Sequence, residues 1–211
     1  MKIIDRETWP RREYFEFFAK MASPYFGIVS EVECTGAYRA AKNQGHSFFA
    51  SYLHKSMIAV NHTPELRTRI CGENIVAFSV IHAGTTIGRD DGSFGFAYMN
   101  FSEDFATFNA ALQAEIQAVK NSTGLRLNND DLKLDLIRHS SLPWIQFTGL
   151  LHPTPLNPQD SVPKITFGKR TERNGRFYLP VSVEAHHGLA DGLHVAHYLK
   201  QFEALLNPSL T

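Results

Sequence analysis

Apolar side chains recur every three or four residues along several stretches of the chain, which is the spacing of an amphipathic helix. Phe105 and Phe108 follow this spacing within one stretch. Val195, Tyr198 and Phe202 follow it near the C-terminal end. The pattern predicts helices near 10–21, 35–43, 47–61 and 103–120, a shorter helix near 129–138, and a helix after 191.

Other stretches alternate apolar with polar residues, or form short apolar runs between turn residues, as β-strands do. Asp90-Asp91-Gly92-Ser93 separates two such runs and is typical of a hairpin turn. The proline-rich piece 152–163 predicts a loop. Strands are expected near 27–34, 75–82, 94–99, 143–151, 163–168 and 176–186.

The order of these elements shows no strict strand–helix–strand rhythm. This favours an α/β chain of the α+β two-layer sandwich type, in which helices cover a mixed, largely antiparallel β-sheet. The length of 211 residues favours a single domain over 1–211 with a sizeable core.

Composition narrows the possible partners. Lys and Arg together number 21, as do Asp and Glu, so no charge excess points to nucleic acid or an acidic membrane. No apolar run approaches the roughly 18 residues that span a bilayer. The two cysteines, Cys34 and Cys71, lie in no metal or redox motif and indicate reduced thiols in the cytoplasm. The sixteen Phe residues suggest an aromatic-rich pocket or a subunit interface.

The stretch HHGLADG, residues 186–192, follows a predicted strand and precedes a predicted helix. Strand alternation directs His186 and His187 to opposite faces. Asp191 is placed to cap the helix, and Gly192 to allow close approach or unusual dihedral angles. A histidine at the end of such a strand suits a general base, because its unperturbed pKa is about 6.5.

Other interpretations of this stretch stay open. A structural role is common for any one histidine, and Asp191 could serve only as a cap. A metal site is conceivable because His186, His187, His194 and His197 lie close in sequence. The first pair diverges, however, and the second lacks a third ligand at a diagnostic spacing, so no metal is expected.

The HHxxxDG pattern resembles the signature of the chloramphenicol acetyltransferase superfamily, which also includes condensation domains and dihydrolipoyl acyltransferases. Among these, the single-domain chloramphenicol acetyltransferases match the chain in length. Further stretches are similar to that family in consistent order. They are Trp9, Arg11, Glu13 and Phe15 of TWPRREYFEFF, NHTPELR at 61–67, LPWIQFTG at 142–149 and ITFGK at 165–169.

The resemblance implies acetyl transfer from acetyl-CoA to an alcohol, with His187 as the general base and no metal. Asp191 is implied to be structural and paired with Arg11, with Arg12 as the fallback. Thr166 is implied to help bind the tetrahedral intermediate through a water.

One position departs from the family. A family serine that donates a hydrogen bond to the oxyanion is replaced here by Gly149. Loss of such a donor typically lowers turnover by about 10²–10³. A backbone N–H, a water or Thr148 could substitute, although Thr148 is expected to point to the other face of its strand. The departure also fits a slower enzyme or a different acceptor.

For the acceptor pocket the resemblance implies Tyr25, Phe26, Phe94 and Phe96, and it implies that Trp144 and Phe147 lie in the central strand. It further implies a homotrimer with active sites between subunits, chloramphenicol as the acceptor, and antibiotic resistance as the role. The alternatives are an acetyltransferase for another alcohol and a catalytically silent protein that binds CoA or a small molecule.

Overall fold

A computed structural model describes residues 1–127, 133–155, 157 and 159–208. The helices are α1 (Arg12–Phe18), α2 (Thr35–Asn43), α3 (Phe48–Asn61), α4 (Phe105–Lys120) and α5 (Gly192–Leu206), with a 3-10 turn at Pro64–Arg67. The strands are β1 (Lys2–Ile3), β2 (Tyr25–Glu33), β3 (Thr68–Cys71), β4 (Asn74–Ala77), β5 (His82–Gly88), β6 (Phe94–Met99), β7 (Leu136–Ser141), β8 (Lys164–Phe167), β9 (Thr171–Arg173) and β10 (Arg176–His186).

The main sheet has seven strands in the order β2-β10-β8-β7-β5-β6, with β9 paired to β10. Strand β7 runs parallel to both β5 and β8, and the other pairs are antiparallel. A second sheet has the order β1-β4-β3 and is antiparallel throughout. The expectation of a mixed, largely antiparallel sheet with helices is confirmed.

The two faces of the main sheet differ in chemistry. Ile165 pairs with Val183, and both belong to the buried core that helices α3 and α5 cover. The alternate residues Thr166, Ser182 and Glu184 therefore point to the opposite face, which we call the cavity face. All three are at most 3% exposed, because the loop after β7 folds over this face.

The strand expected over 143–151 is wrong. The chain there makes turns outside any strand, and the central strand is β7, where the sequence predicted the end of a short helix at 129–138. Trp144 is 77% exposed, and Phe147 lies outside the strands, so neither lies in the central strand as implied. Residues 128–132 of the expected helix lie outside the described residues. Pro143 cannot donate a hydrogen bond to a β-ladder, and the apolar side chains of Trp144, Ile145 and Leu151 are exposed.

The strand expected over 75–82 is two strands. β4 belongs to the small sheet and β5 to the main sheet, and the residues between them cross from one sheet to the other. Asp90–Ser93 forms the turn of the β5–β6 hairpin, with Gly92 at φ +83°. No helix among the described residues combines the length and hydropathy needed to cross a membrane.

Arg69 joins the small sheet to the main one. Its side chain is fully buried, and its guanidinium donates to four backbone carbonyls. These are Leu66 O at 2.8 Å, Thr68 O at 2.8 Å, Leu134 O at 2.8 Å and Leu136 O at 2.7 Å. Five fixed N–H groups suit this task, whereas the three hydrogens of an ammonium do not.

Arg69→Lys is therefore expected to destabilise the fold. At least one buried carbonyl loses its donor, so the free energy of unfolding should fall by about 2 kcal/mol or more. Urea denaturation at one protein concentration measures the change as a lower midpoint. Arg39→Lys is the matched control, because Arg39 is exposed and donates to Gly175 O at the surface. Equal midpoints for the two variants would contradict the expectation.

Candidate active site

The two adjacent histidines leave strand β10 in opposite directions. His186 is 1% exposed, and its ring lies 6.1 Å from the rings of both Phe15 and Tyr25. Burial lowers the pKa of His186 to about 4, so its imidazole is neutral near pH 7. The backbone N–H of His187 donates to Pro24 O at 2.8 Å, which continues the pairing of β10 with β2 past the end of the strand.

The half-buried ring of His187 is held by aromatic side chains. Phe18 stacks on it with a centroid distance of 3.9 Å and an interplanar angle of 9°, and Phe26 lies 4.6 Å away at 38°. Nδ1 of His187 is buried and has no hydrogen-bond partner among the described residues. Ring stacking therefore fixes the angle of this imidazole. Sequence reasoning missed Phe18, whose spacing in α1 marked it only as part of a broad apolar face.

Arg11 ties the helix cap to the histidine turn. Its Nη1 lies 2.6 Å from Oδ2 of Asp191, and its Nη2 donates to the carbonyl of His187 at 3.1 Å. Arg12, the fallback partner, instead pairs with Glu7 and Glu16 on the surface. The structure thus brings Arg11, and not Arg12, to Asp191.

Asp191 caps helix α5. Oδ1 accepts the N–H of Leu193 at 3.0 Å, and the backbone N–H of Asp191 donates to Nδ1 of His194 at 3.1 Å. Partial burial alone raises the pKa of Asp191. The hydrogen bond from Arg11 and the nearby His194 outweigh it, so the pKa lies below its usual value.

The glycine that permits close approach is Gly188, and the expectation for Gly192 is wrong. A Cβ at Gly188 would lie 3.0 Å from Cα of Phe15, whereas one at Gly192 would be 3.8 Å from Ile28 in ordinary contact. Gly192 also has no left-handed φ. Helix α1 crosses the turn at Gly188, and the local sequence gives no sign of that crossing.

Thr166 lies far from His187 within one chain. It pairs with Ser182, five residues before His187 on β10, which is about 16 Å along a strand. The odd spacing also puts the two side chains on opposite faces. One chain therefore does not bring these two predicted site residues together.

Thr166 instead contacts a residue that sequence reasoning did not single out. Nε2 of His152 lies 2.8 Å from Oγ1 of Thr166, and Nδ1 lies 2.6 Å from Oε1 of Glu184. The sequence indicated only a proline-rich loop at this position. No local pattern shows that this loop docks against β8 and β10.

Two cavities open on the cavity face. The larger, about 650 Å³, is lined by Phe94, Phe96, His152 and Lys164 among others. The smaller, about 370 Å³, is lined by Tyr25, Phe26, Gly149 and Glu184 among others. The four predicted pocket residues thus divide between two neighbouring cavities, and Phe26 also touches His187.

Two residues of the smaller cavity have distinct surroundings. No atom lies within 4 Å of a Cβ built at Gly149, so a side chain would fit there. Tyr25 points its hydroxyl at Asp160, with 3.1 Å between Oη and Oδ2. Burial, followed by the charge of Asp160, raises the pKa of Tyr25, so the phenol stays protonated.

The four clustered histidines do not converge. His194 contacts Asp191 and Glu65, and His197 lies on the exposed side of α5. In the described parts of the chain, no group of three or more His, Cys, Asp or Glu residues could hold a metal ion.

Comparison with known proteins decides the family. The family model described as chloramphenicol acetyltransferase matches residues 1–203. The chain belongs to the chloramphenicol acetyltransferase family. Members of this family are acyltransferases, and the present chain is accordingly an enzyme of that type.

Individual relatives agree over almost the whole chain. A chloramphenicol acetyltransferase from Streptomyces acrimycini is 28% identical over 207 residues, covering 96% of this chain and 93% of the relative. One from Clostridium perfringens is 24% identical over 205 residues, covering 96% and 93%. A solved chloramphenicol acetyltransferase structure superposes with a TM-score of 0.91 at 32% identity, covering 97% of this chain and 99% of that one.

The same fold occurs in a larger assembly. The cubic core of the pyruvate dehydrogenase multienzyme complex gives a TM-score of 0.64 at 18% identity, covering 92% of this chain and 86% of that one. This likeness extends to the fold alone.

Asp191→Asn is expected to lower thermal stability and acetyl-transfer activity together, because the neutral amide loses its ion pair with Arg11. The pKa of Asp191 is depressed in the folded chain, so its charge stabilises the fold above the unfolded pKa of about 3.9. That contribution disappears as the pH falls through the folded pKa. The difference in melting temperature between wild type and variant should therefore shrink below about pH 4. Activity lost at unchanged stability would contradict a scaffold role.

Proposed function

We propose that this chain, acting as one acetyltransferase domain, transfers the acetyl group of acetyl-CoA to a hydroxyl of chloramphenicol and so inactivates the antibiotic. The observation that carries the proposal is the His187 imidazole, fixed between two aromatic rings at the turn that Arg11 and Asp191 hold. Family membership over residues 1–203 supports the same reaction.

In the proposed mechanism His187 removes the proton from the acceptor hydroxyl as its oxygen attacks the thioester carbonyl. A tetrahedral intermediate forms, with its negative oxygen bound by Thr166 through a water and by the backbone N–H of Gly149. Collapse breaks the carbon–sulfur bond, and CoA leaves as the thiol with the proton from His187. Positioned general-base catalysis of this kind contributes about 10²–10⁴ in rate.

We place the complete site between the subunits of a homotrimer. The side chains of His187 and Thr166 point to opposite faces of the sheet, about 16 Å apart along a strand, and this separation supports a site that a second copy completes. Apolar side chains exposed at the surface support such an interface. These are Phe94, Trp144, Ile145 and Leu151, which are 45%, 77%, 57% and 89% exposed.

A different alcohol is the second candidate for the acceptor. Gly149 lacks the family's serine hydroxyl, and no atom lies within 4 Å of a Cβ built there, so the smaller cavity has room for an acceptor of another shape. We further infer a cytoplasmic location, which two free thiols, Cys34 and Cys71, support.

The purified chain should release CoA thiol when acetyl-CoA and chloramphenicol are both present, and His187→Ala should reduce that rate by at least about 10². His62→Ala is the control, because His62 is an exposed histidine that contacts Gln201. A panel of other alcohols assayed in parallel identifies the second candidate. Unchanged thiol release by His187→Ala would rule out the proposed base. No release with any alcohol would support a silent binding protein.

Subunit mixing tests the location of the site. His187→Ala and Thr166→Val chains, each impaired alone, are denatured together in equal amounts and refolded. If each site takes His187 from one subunit and Thr166 from the next, random trimers restore about a quarter of the sites to wild type. Refolding each variant separately is the control. Activity that stays at the average of the two variants would place both residues of a site in one chain.

A further inference from the structure

Three polar side chains form a continuous chain of hydrogen bonds on the cavity face. Glu184 on β10 contacts His152, and His152 contacts Thr166 on β8, at 2.6 and 2.8 Å. Glu184 and Thr166 are 3% and 1% exposed, whereas the side chain of His152 is 20% exposed and borders the larger cavity. The imidazole is therefore the group of the three that protons can reach.

The hydrogens of this chain follow from its donors and acceptors. A carboxylate only accepts hydrogen bonds, so Nδ1 of His152 carries a hydrogen toward Glu184. The backbone N–H of His152 donates to the same carboxylate oxygen at 3.1 Å. The other ring nitrogen, Nε2, faces Oγ1 of Thr166. It either accepts a hydrogen bond through its lone pair or donates one as an N–H.

The state of Nε2 decides what Thr166 can do. When His152 is neutral, the Thr166 hydroxyl donates its hydrogen to Nε2 and offers only lone pairs elsewhere. When His152 is protonated, Nε2–H donates to Oγ1, and the threonine hydrogen is free to form another bond. In the first arrangement, a water that bridges Thr166 and the negative oxygen must spend one of its hydrogens on Oγ1. In the second arrangement Thr166 donates to that water, so both water hydrogens stay available to stabilise the negative oxygen.

Titratable and charged groups from the neighbouring strands surround this cluster. Lys164 on β8 lies 3.9 Å from Oε2 of Glu184 and 4.6 Å from the ring of Tyr25 on β2. Arg138 on β7 pairs with Asp160 at 3.1 Å. Glu184 is the carboxylate in direct contact with His152, at 2.6 Å, so it is the group that orients the imidazole.

We propose that His152, held by Glu184, is a positioning residue that turns the Thr166 hydroxyl hydrogen toward the tetrahedral intermediate and so compensates for the serine missing at Gly149. This inference rests on the proposed acetyl transfer. His152 and Glu184 act through Thr166 and do not touch the reacting atoms.

Two substitutions at one position separate the two contacts of the imidazole. The amide of His152→Gln can reach the place of Nε2 and donate to Thr166, whereas that of His152→Asn reaches the place of Nδ1 and contacts only Glu184. We expect kcat to fall about 10² for Asn and less than about tenfold for Gln, with KM changed little in both. Equal kcat values for the two variants would overturn the proposal.

A double-mutant cycle tests the link to Gly149. Gly149→Ser restores the hydroxyl that the family uses, and the space at that position admits it. In this background we expect His152→Asn to cost less than about tenfold in kcat, because a second donor is present. If His152→Asn lowers kcat by the same factor with Gly149 and with Gly149→Ser, compensation for Gly149 is refuted.

Imidazole ¹⁵N NMR of the histidine-labelled protein reads the hydrogen-bond chain without any acceptor. Thr166→Val should shift the Nε2 resonance of His152, and Glu184→Gln should shift Nδ1, with the resonances of His62 unmoved as the control. If wild type transfers no acetyl group, the proposed function is wrong, while these shifts still show whether the hydrogen bonds between Glu184, His152 and Thr166 exist. If transfer proceeds and no shift occurs, the positioning role alone is refuted.

Discussion

Arg11 connects parts of the chain that are 180 residues apart, and the arrangement of the candidate site depends on this one side chain. One arm of the guanidinium meets the carboxylate that caps α5, and the other meets the carbonyl of His187. Helix α1, which begins beside Arg11, then carries Phe15 and Phe18 onto the two histidines. Because the Asp191 side chain is 32% exposed, water screens this pair, and its charges contribute about 1 kcal/mol or less, so its main effect is on geometry. The two segments that contain Arg11 and Asp191 therefore depend on each other for their arrangement.

The proposed base is oriented by packing. Stacking between aromatic rings contributes about 0.5–1.5 kcal/mol beyond buried area, enough to favour one ring angle strongly. With Nδ1 of His187 buried and unpartnered among the described residues, no protein acceptor selects the tautomer. If His187 accepts the alcohol proton at Nε2, its own hydrogen has to lie on Nδ1. Binding of the acceptor alcohol therefore has to favour this tautomer. The His152 imidazole differs, because Glu184 accepts its Nδ1–H and so fixes that hydrogen, whereas Nε2 can either accept or donate a hydrogen bond.

The sequence predicted what local patterns determine. Strand β10 and helix α2 begin and end where alternation and helical spacing placed them, and Asp191 caps α5 as its residue type suggested. The run around Trp144 misled because apolar side chains are expected to be buried within the same chain, whereas this tryptophan is exposed. Docking of the loop that carries His152 depends on contacts between distant segments, and one sequence holds no sign of them.

The two-residue period of a β-strand separates His187 from Thr166 within one copy of this chain. His187 lies five positions after Ser182, which pairs with Thr166, so the side chains of His187 and Thr166 point to opposite faces of the sheet. Moving His187 by one residue would turn it to the cavity face but would break its stacking with Phe18 and the contact of its carbonyl with Arg11. In the proposed homotrimer, the turn of one copy would face the cavities of another. On that proposal, trimer formation is a requirement of the chemistry.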